Sequence, residues 1–226
     1  MPTKRIISRI DIKGDDIVKG VNLEGLRVLG NPEKFSLKYY QDGIDEIFIQ
    51  DVVASLYGRN SLHEVVTKIA ENVFVPITVG GGIRNLNDIN QILRAGADKV
   101  SINSAAVLDP LFIKDAVTNF GSSTITISIE TNKDINGNFS IFYENGREES
   151  GIELIEWIKK IQDLGAGEIF LTSIENEGTG HGYQTEILDK IQNYVDIPLI
   201  IYGGAKNKHD VLKVLRDYNL VDGACM

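Results

Sequence analysis

The chain has 226 residues, with 23 Lys and Arg against 32 Asp and Glu, a formal charge of −9. That balance excludes a general nucleic-acid or anionic-membrane surface, which needs net positive potential, but leaves room for a local phosphate site. A single cysteine, Cys225, excludes an internal disulfide framework and a cysteine-rich zinc site.

Short β-branched runs alternate with amphipathic helical stretches along the whole chain. Strands are predicted at Arg5–Asp11, Asp45–Gln50, Pro76–Val79, Asp98–Ile102, Thr124–Glu130, Glu168–Thr172, Pro198–Ile201 and Asp222–Met226. Helices are predicted near residues 32–41, 61–71, 86–94, 110–119, 151–164, 184–194 and 208–218. Pro32 and Pro110 suit first helical positions, and Ser61 followed by Glu64 spells a capping box. This alternation predicts an α/β fold, a (β/α)8 TIM barrel. An open doubly wound sheet fits less well, because the first strand runs into DIKGDDIVKG, which has no GxGxxG turn. The segment NKDINGNFSIFYENG at 132–146 predicts a hairpin on the loop after the fifth strand.

No linker divides the chain, so residues 1–226 read as one domain. The opening MPTKRIISRIDIKG lacks a signal peptide's apolar stretch, and charges or glycines break every later apolar run. A cytoplasmic protein without a membrane anchor is therefore expected.

The chain also repeats itself. GIDEIFIQD at 43–51 answers GAGEIFLTS at 165–173, and VPITVGGGIRNLNDI at 75–89 answers IPLIIYGGAKNKHDV at 197–211, both at an offset of 122. Four βα pairs doubled to eight predict a barrel with a half-barrel repeat and two equivalent places across one mouth. After a two-residue slip, DKVSI at 98–102 corresponds to DGACM at 222–226, so the repeat predicts a chain ending within strand eight. A further C-terminal segment is expected to finish that strand, add its helix and carry half of one phosphate site.

Gly80–Gly82 follow the third strand, and Gly203 and Gly204 follow the seventh. Glycines there expose backbone N–H groups beside a helix start, where an anion is favoured. Gly81, Gly82, Asn103 and Ser104 form one candidate phosphate site, and Gly203 and Gly204 the core of a second. An elongated substrate with a phosphate at each end is expected. Carboxylates mark the same strand ends: Asp11, Asp51 and Glu130, with Glu177 in the loop after strand six. Asp11 and Glu130 stand on corresponding strands and are candidates for paired acid and base, with Lys19 beside Asp11. His63, His181 and His209 form no metal-ligating pattern, and no metal site is predicted.

These motifs resemble the cyclase subunit of imidazole glycerol phosphate synthase over essentially the whole chain. The resemblance rests on RII at 5–7, D-x-K at 11–13, VKGVN at 18–22, D-x-x-AS at 51–55, TVGGGIR at 78–84 and GADKVSIN at 96–103. It continues through FGSS at 120–123, LGAGEIFLTSI at 164–174, EGT-x-x-GY at 177–183 and GGA at 203–205. The resemblance implies a cofactor-free enzyme that uses ammonia from a glutaminase subunit on the N-terminal face of the barrel. It implies a bis-phosphorylated ribulosyl-formimino carboxamide ribonucleotide as substrate, with imidazole glycerol phosphate and an aminoimidazole carboxamide ribonucleotide as products. It further implies that Asp11, Lys19, Glu130 and Glu177 are catalytic. Arg5, Glu46, Lys99 and Glu168 match an ammonia gate, and Asp98 a position that communicates with the glutaminase.

Four positions depart from the family pattern. Glu130 and Glu177 stand where aspartates are usual, Arg9 where a small residue is usual, and Tyr202 where a serine is expected. They keep two alternatives open: ammonia-dependent amidation of a nucleotide-linked sugar, and a non-catalytic subunit that regulates a glutaminase. An isomerase of the sister histidine-pathway barrel would share the two-phosphate logic but has no need of an ammonia route.

Overall fold

The computed structural model describes residues 3–54 and 62–226; Ser61 of the expected capping box and Ser55 of the D-x-x-AS motif lie outside them. The first half runs β1 (Arg5–Lys13), β2 (Asp16–Val21), β3 (Glu24–Gly30), α1 (Pro32–Gln41), β4 (Glu46–Asp51), α2 (Leu62–Ala70), β5 (Ile77–Gly80), α3 (Leu86–Arg94) and β6 (Lys99–Ile102). Then follow α4 (Ser104–Leu108), α5 (Leu111–Phe120), β7 (Ile125–Lys133), β8 (Phe139–Tyr143), β9 (Glu148–Glu153), α6 (Leu154–Asp163) and β10 (Glu168–Ser173). The chain finishes with α7 (Thr185–Ile191), β11 (Leu199–Tyr202), α8 (Lys208–Asp217) and β12 (Val221–Cys225).

Strands β1, β4, β5, β6, β7, β10, β11 and β12 pair in parallel in that order, and β12 returns to β1 through Arg5↔Gly223 and Ile7↔Cys225. This is the closed (β/α)8 barrel that the alternation predicts. Side chains alternate across each strand. Ile47 and Ile49 of β4 face the helix layer and join its large aliphatic core, while Phe48 belongs to a separate cluster with Ile7, Phe170, Ile200, Tyr202 and Cys225. The second cluster fills the barrel interior.

Helix starts follow the expected chemistry. Asn31 caps α1 by accepting from the Lys34 N–H, with Pro32 in the first turn, and Asn85 caps α3 at 3.0–3.1 Å. Its repeat partner Asn207 caps α8, with Asp210 completing a capping box. Pro110 adopts helical angles one position ahead of α5, at its cap.

One hairpin was expected and two are present. β8 extends β7 antiparallel within the 132–146 segment, while β9 lies beyond it, where the helix expected near 151–164 instead begins at Leu154; β2 and β3 extend β1 in the same way. The sequence reading assigns no element between Asp11 and residue 32, so Lys19 moves from a loop to β2. The two hairpins are repeat partners even in strain. Asn22 and Leu23 turn the first at φ 53° and 64°, and Glu144 and Asn145 turn the second at 53° and 59°. Consecutive non-glycine residues at positive φ are costly and mark a tightly determined turn. The tips meet over the barrel mouth, where the Asn145 amide donates to the Leu23 carbonyl at 3.4 Å.

Candidate active site

Strand register shows which mouth residues are equivalent. Asp11 pairs with Gln50, and Glu130 pairs with Thr172; Gln50 and Thr172 are themselves 122 residues apart. Asp11 and Glu130 therefore occupy one position in the two halves. Their surroundings differ. Arg9 Nε donates to Asp11 Oδ1 at 2.6 Å, and Lys19 Nζ donates to Oδ2 at 2.8 Å. Burial pushes the Asp11 carboxyl up, but the two cations outweigh it and hold the group below the usual range. Glu130 accepts from the Gly146 N–H at 2.8 Å and forms no ion pair among the described residues. Burial raises it to about 7, against a smaller lowering by Arg9 and that N–H.

Glu130 is raised from 4.5 to about 7 on folding, so the stability tied to it falls as pH rises across that interval and then levels off. Replacing Glu130 by Gln should flatten the slope, which denaturant unfolding measured from pH 4.5 to 7.5 checks.

Glu177 is buried and bridges the first hairpin to the mouth. Its Oε2 accepts from the Leu23 N–H at 2.9 Å, and Oε1 accepts from the Tyr202 hydroxyl at 2.9 Å and from Lys19 at 2.8 Å. Lys19 also contacts the Tyr202 hydroxyl. Asp11, Lys19, Glu177, Tyr202 and Arg9 thus form one continuous network. Glu130 stands outside it, on a cavity of about 340 Å³.

That cavity is lined by Glu130, Asp51, Gly81, Gly82, Asn103 and Ser104, with Arg84 also in the lining and its guanidinium donating to the Ala54 carbonyl at 2.8 Å. Asn103 donates to the Phe142 carbonyl at 3.3 Å, and Ser104 accepts from the Glu144 N–H at 3.1 Å, so both also hold the second hairpin. Ser101 Oγ, Asn103 Oδ1 and Asn145 Oδ1 are buried here without a partner, which marks the pocket as built for a polar ligand. Asp51 accepts from the Val53 N–H at 2.9 Å, and burial raises its carboxyl.

The corresponding positions of the second half carry larger side chains. Gly80 corresponds to Tyr202 and Ser101 to Cys225, while Ser128 corresponds to Arg9. Small residues leave space in one half, and large ones occupy it in the other. Gly203 packs so that a Cβ would lie 2.7 Å from the Ser173 carbonyl, and Gly204 accepts from the Gly182 N–H at 2.7 Å. The two halves thus differ in side-chain size, and the cavity is lined by the first half together with Ser128, Glu130, Glu144 and Asn145. Gly81 has φ +102°, and a Cβ there would strike the Asp51 carbonyl. Gly81→Ala is expected to cost more than about 1 kcal/mol and to weaken binding of inorganic phosphate, checked by thermal unfolding and calorimetry.

At the other end of the barrel, Arg5, Glu46, Lys99 and Glu168 form a closed ring. Arg5 bridges Glu46 and Glu168 at 2.8 Å each, and Lys99 bridges the same pair at 2.7 and 2.8 Å. Thr78 adds a 2.6 Å hydrogen bond to Glu46. Asp98, exposed beside the ring, accepts from the Ile77 N–H at 2.9 Å; Asp222 does the same for Leu199 at 3.0 Å. This contact is a strand clasp used in both halves.

Sequence reasoning passed over two residues. Arg84 lies within the quoted TVGGGIR motif, directly after the glycines, and that adjacency was the available signal. Arg9 was noted only as a departure. No helix among the described residues is long and apolar enough to cross a membrane.

Glycine turns and a carboxylate pair at the C-terminal mouth of a closed (β/α)8 barrel are the layout of a barrel enzyme working by proton transfer on a polar, anionic substrate. Residues 5–226 match the family model described as "Histidine biosynthesis protein". The chain is 50% identical over 204 residues to the imidazole glycerol phosphate synthase subunit HisF of Legionella pneumophila, covering 90% of this chain and 96% of that one. It is 40% identical over 219 residues to the HisF subunit of Prochlorococcus marinus (strain MIT 9215), covering 96% of this chain and 86% of that one. The HisF subunit of Streptococcus mutans is 39% identical over 214 residues, 95% of this chain and 85% of that one. The chain belongs to the histidine biosynthesis family, in its branch of HisF cyclase subunits, and is an enzyme. As a subunit of that type it works in a complex with a partner chain.

Proposed function

We propose that this chain catalyses the ammonia-dependent cyclase reaction of imidazole glycerol phosphate synthase. Its substrate is the bis-phosphorylated ribulosyl-formimino carboxamide ribonucleotide, and its products are imidazole glycerol phosphate and an aminoimidazole carboxamide ribonucleotide. The observation that carries the reading is the register-equivalent pair of Asp11 and Glu130, shifted in opposite directions by their surroundings, with Glu130 on the cavity. Cleavage and ring closure need a proton removed at one atom and one delivered at another. Asp11, kept ionised, accepts; Glu130, raised to about 7 and so protonated in part at neutrality, donates. Lys19 neutralises charge between Asp11 and Glu177.

One phosphate is held at Gly81, Gly82, Asn103 and Ser104, and the other near Gly203 and Gly204. A glutaminase partner on the N-terminal face supplies ammonia through the ring of Arg5, Glu46, Lys99 and Glu168, with Asp98 at the contact. The axis above the ring is packed by Phe48, Phe170, Tyr202 and Arg9, so delivery requires these side chains to move aside. The chemistry needs no cofactor and suits the cytoplasm.

The test is incubation of the chain with this substrate and an ammonium salt. An imidazole product is expected, with kcat/KM falling above about pH 7 as Glu130 loses its proton. Absence of product, with binding of a nucleotide-linked sugar instead, would replace the assignment by sugar amidation.

A further inference from the structure

We infer that Arg9 is a positioning residue for the acid–base pair: caged on the barrel axis by three aromatic rings, it holds one oxygen of Asp11 and makes Asp11 and Glu130 unlike where the fold makes them equivalent. The inference rests on the proposed roles of those two carboxylates. Its foundation is geometric. The Arg9 side chain is 2% exposed, and its guanidinium carbon lies 4.5 Å from the Tyr202 ring centroid, 5.8 Å from Phe48 and 5.9 Å from Phe170. Phe48 and Phe170 stack at 4.0 Å and are themselves repeat partners. Tyr202 is anchored in turn by Glu177 and Lys19. The guanidinium therefore has little freedom, and with Lys19 on the other oxygen neither has Asp11.

The repeat supplies an internal control. Arg9 pairs with Phe48 across β1 and β4, and Ser128 pairs with Phe170 across β7 and β10. Asp11 thus sits two residues beyond a cation, and Glu130 two residues beyond a hydroxyl. An arginine serving only to fill the barrel is a poor choice, because burying the charge is costly and an apolar side chain would fill the layer. Nor is Arg9 locked by a full set of hydrogen bonds, since Nη2 is buried without a partner. The charged and titratable groups around it are Asp11 on β1, Lys19 on β2, Glu130 on β7, Glu177 after β10, Tyr202 on β11 and Cys225 on β12. Glu144 and the Gly146 N–H complete the surroundings of Glu130.

Two readouts on the full chain test the inference: kcat and KM against pH with ammonium as nitrogen donor, and an NMR titration of the 13C-labelled Glu130 carboxyl. In Arg9→Met the Glu130 midpoint should rise by about one pH unit. In the same variant kcat should fall by about 100-fold with KM changed by less than about threefold, because Asp11 loses its orientation rather than the substrate its contacts. Arg9→Lys keeps the charge and should return the midpoint to the parent value with partial recovery of kcat. Arg9→Gln takes the place of Arg9→Met should the latter not fold. A folded, uncharged variant with the parent Glu130 midpoint and the parent kcat profile overturns the inference. If the parent chain forms no imidazole product but the midpoint still moves, Arg9 sets the carboxylate pair and it is the cyclase reading that fails.

Discussion

Asp11→Asn is expected to lower ammonium-dependent turnover by about 1,000-fold, within the range that loss of a positioned acid or base produces. The amide keeps the shape of the side chain but cannot accept a proton. It also leaves Arg9, 2% exposed, facing a neutral group, while Lys19 retains Glu177. Removing one partner of a buried ion pair costs roughly 3–5 kcal/mol, so the same variant should unfold at lower urea concentration. Two measurements separate the effects: steady-state turnover at a temperature where the variant is folded, and urea unfolding. Parent-like turnover in a folded Asp11→Asn protein would remove Asp11 from the chemistry, and the regulatory-subunit alternative would then gain ground. Binding of the glutaminase partner, proposed for the opposite face, should be unaffected.

The second large effect is expected at the other end of the barrel. Glu46 is 1% exposed and takes hydrogen bonds or ion pairs from Arg5, Lys99 and Thr78. Glu46→Ala leaves two cations sharing Glu168. The cost for such a network is roughly 3 kcal/mol, at the low end of the buried range because Arg5 is partly exposed. For a chain of this length that is a fall of about 6–12 °C in melting temperature. Turnover with external ammonium should stay within about threefold of the parent, since distant sites act independently. Glutamine-driven turnover with the partner present should drop. An unchanged melting curve would show that the ring adds nothing to stability.

The barrel was legible because its signals are local and repeated. Each strand is a short β-branched run, each helix an amphipathic stretch, and the repeat sets Asp11 and Glu130 at the ends of corresponding strands before any coordinates are seen, although they lie 119 rather than 122 residues apart. The first hairpin was missed for an equally local reason. Gly20 and Gly25 interrupt the alternation in DIVKGVNLEGLRVLG, and the tip is Asn22-Leu23 rather than Asn-Gly. Arg9 could be flagged as unusual but not understood. Its meaning depends on Phe48, Phe170 and Tyr202 arriving at one level of the barrel from three other strands. The 122-residue offset does set Tyr202 against Gly80, but what the Tyr202 ring meets inside the barrel follows only from the closed sheet. Contacts of that kind are made by closure of the sheet, which no window of sequence contains.

The unequal filling of the two halves gives the barrel a head and a tail. A molecule phosphorylated at both ends presents similar charge at each, and a doubled fold presents two similar turns to receive them. Left symmetrical, such a pair could dock in either direction, and half of the encounters would place the reacting atoms beside the wrong carboxylate. Tyr202 and Arg9 on one side, with Gly80 and Ser128 on the other, remove that degeneracy. For the proposed substrate, a single binding orientation is the expected consequence.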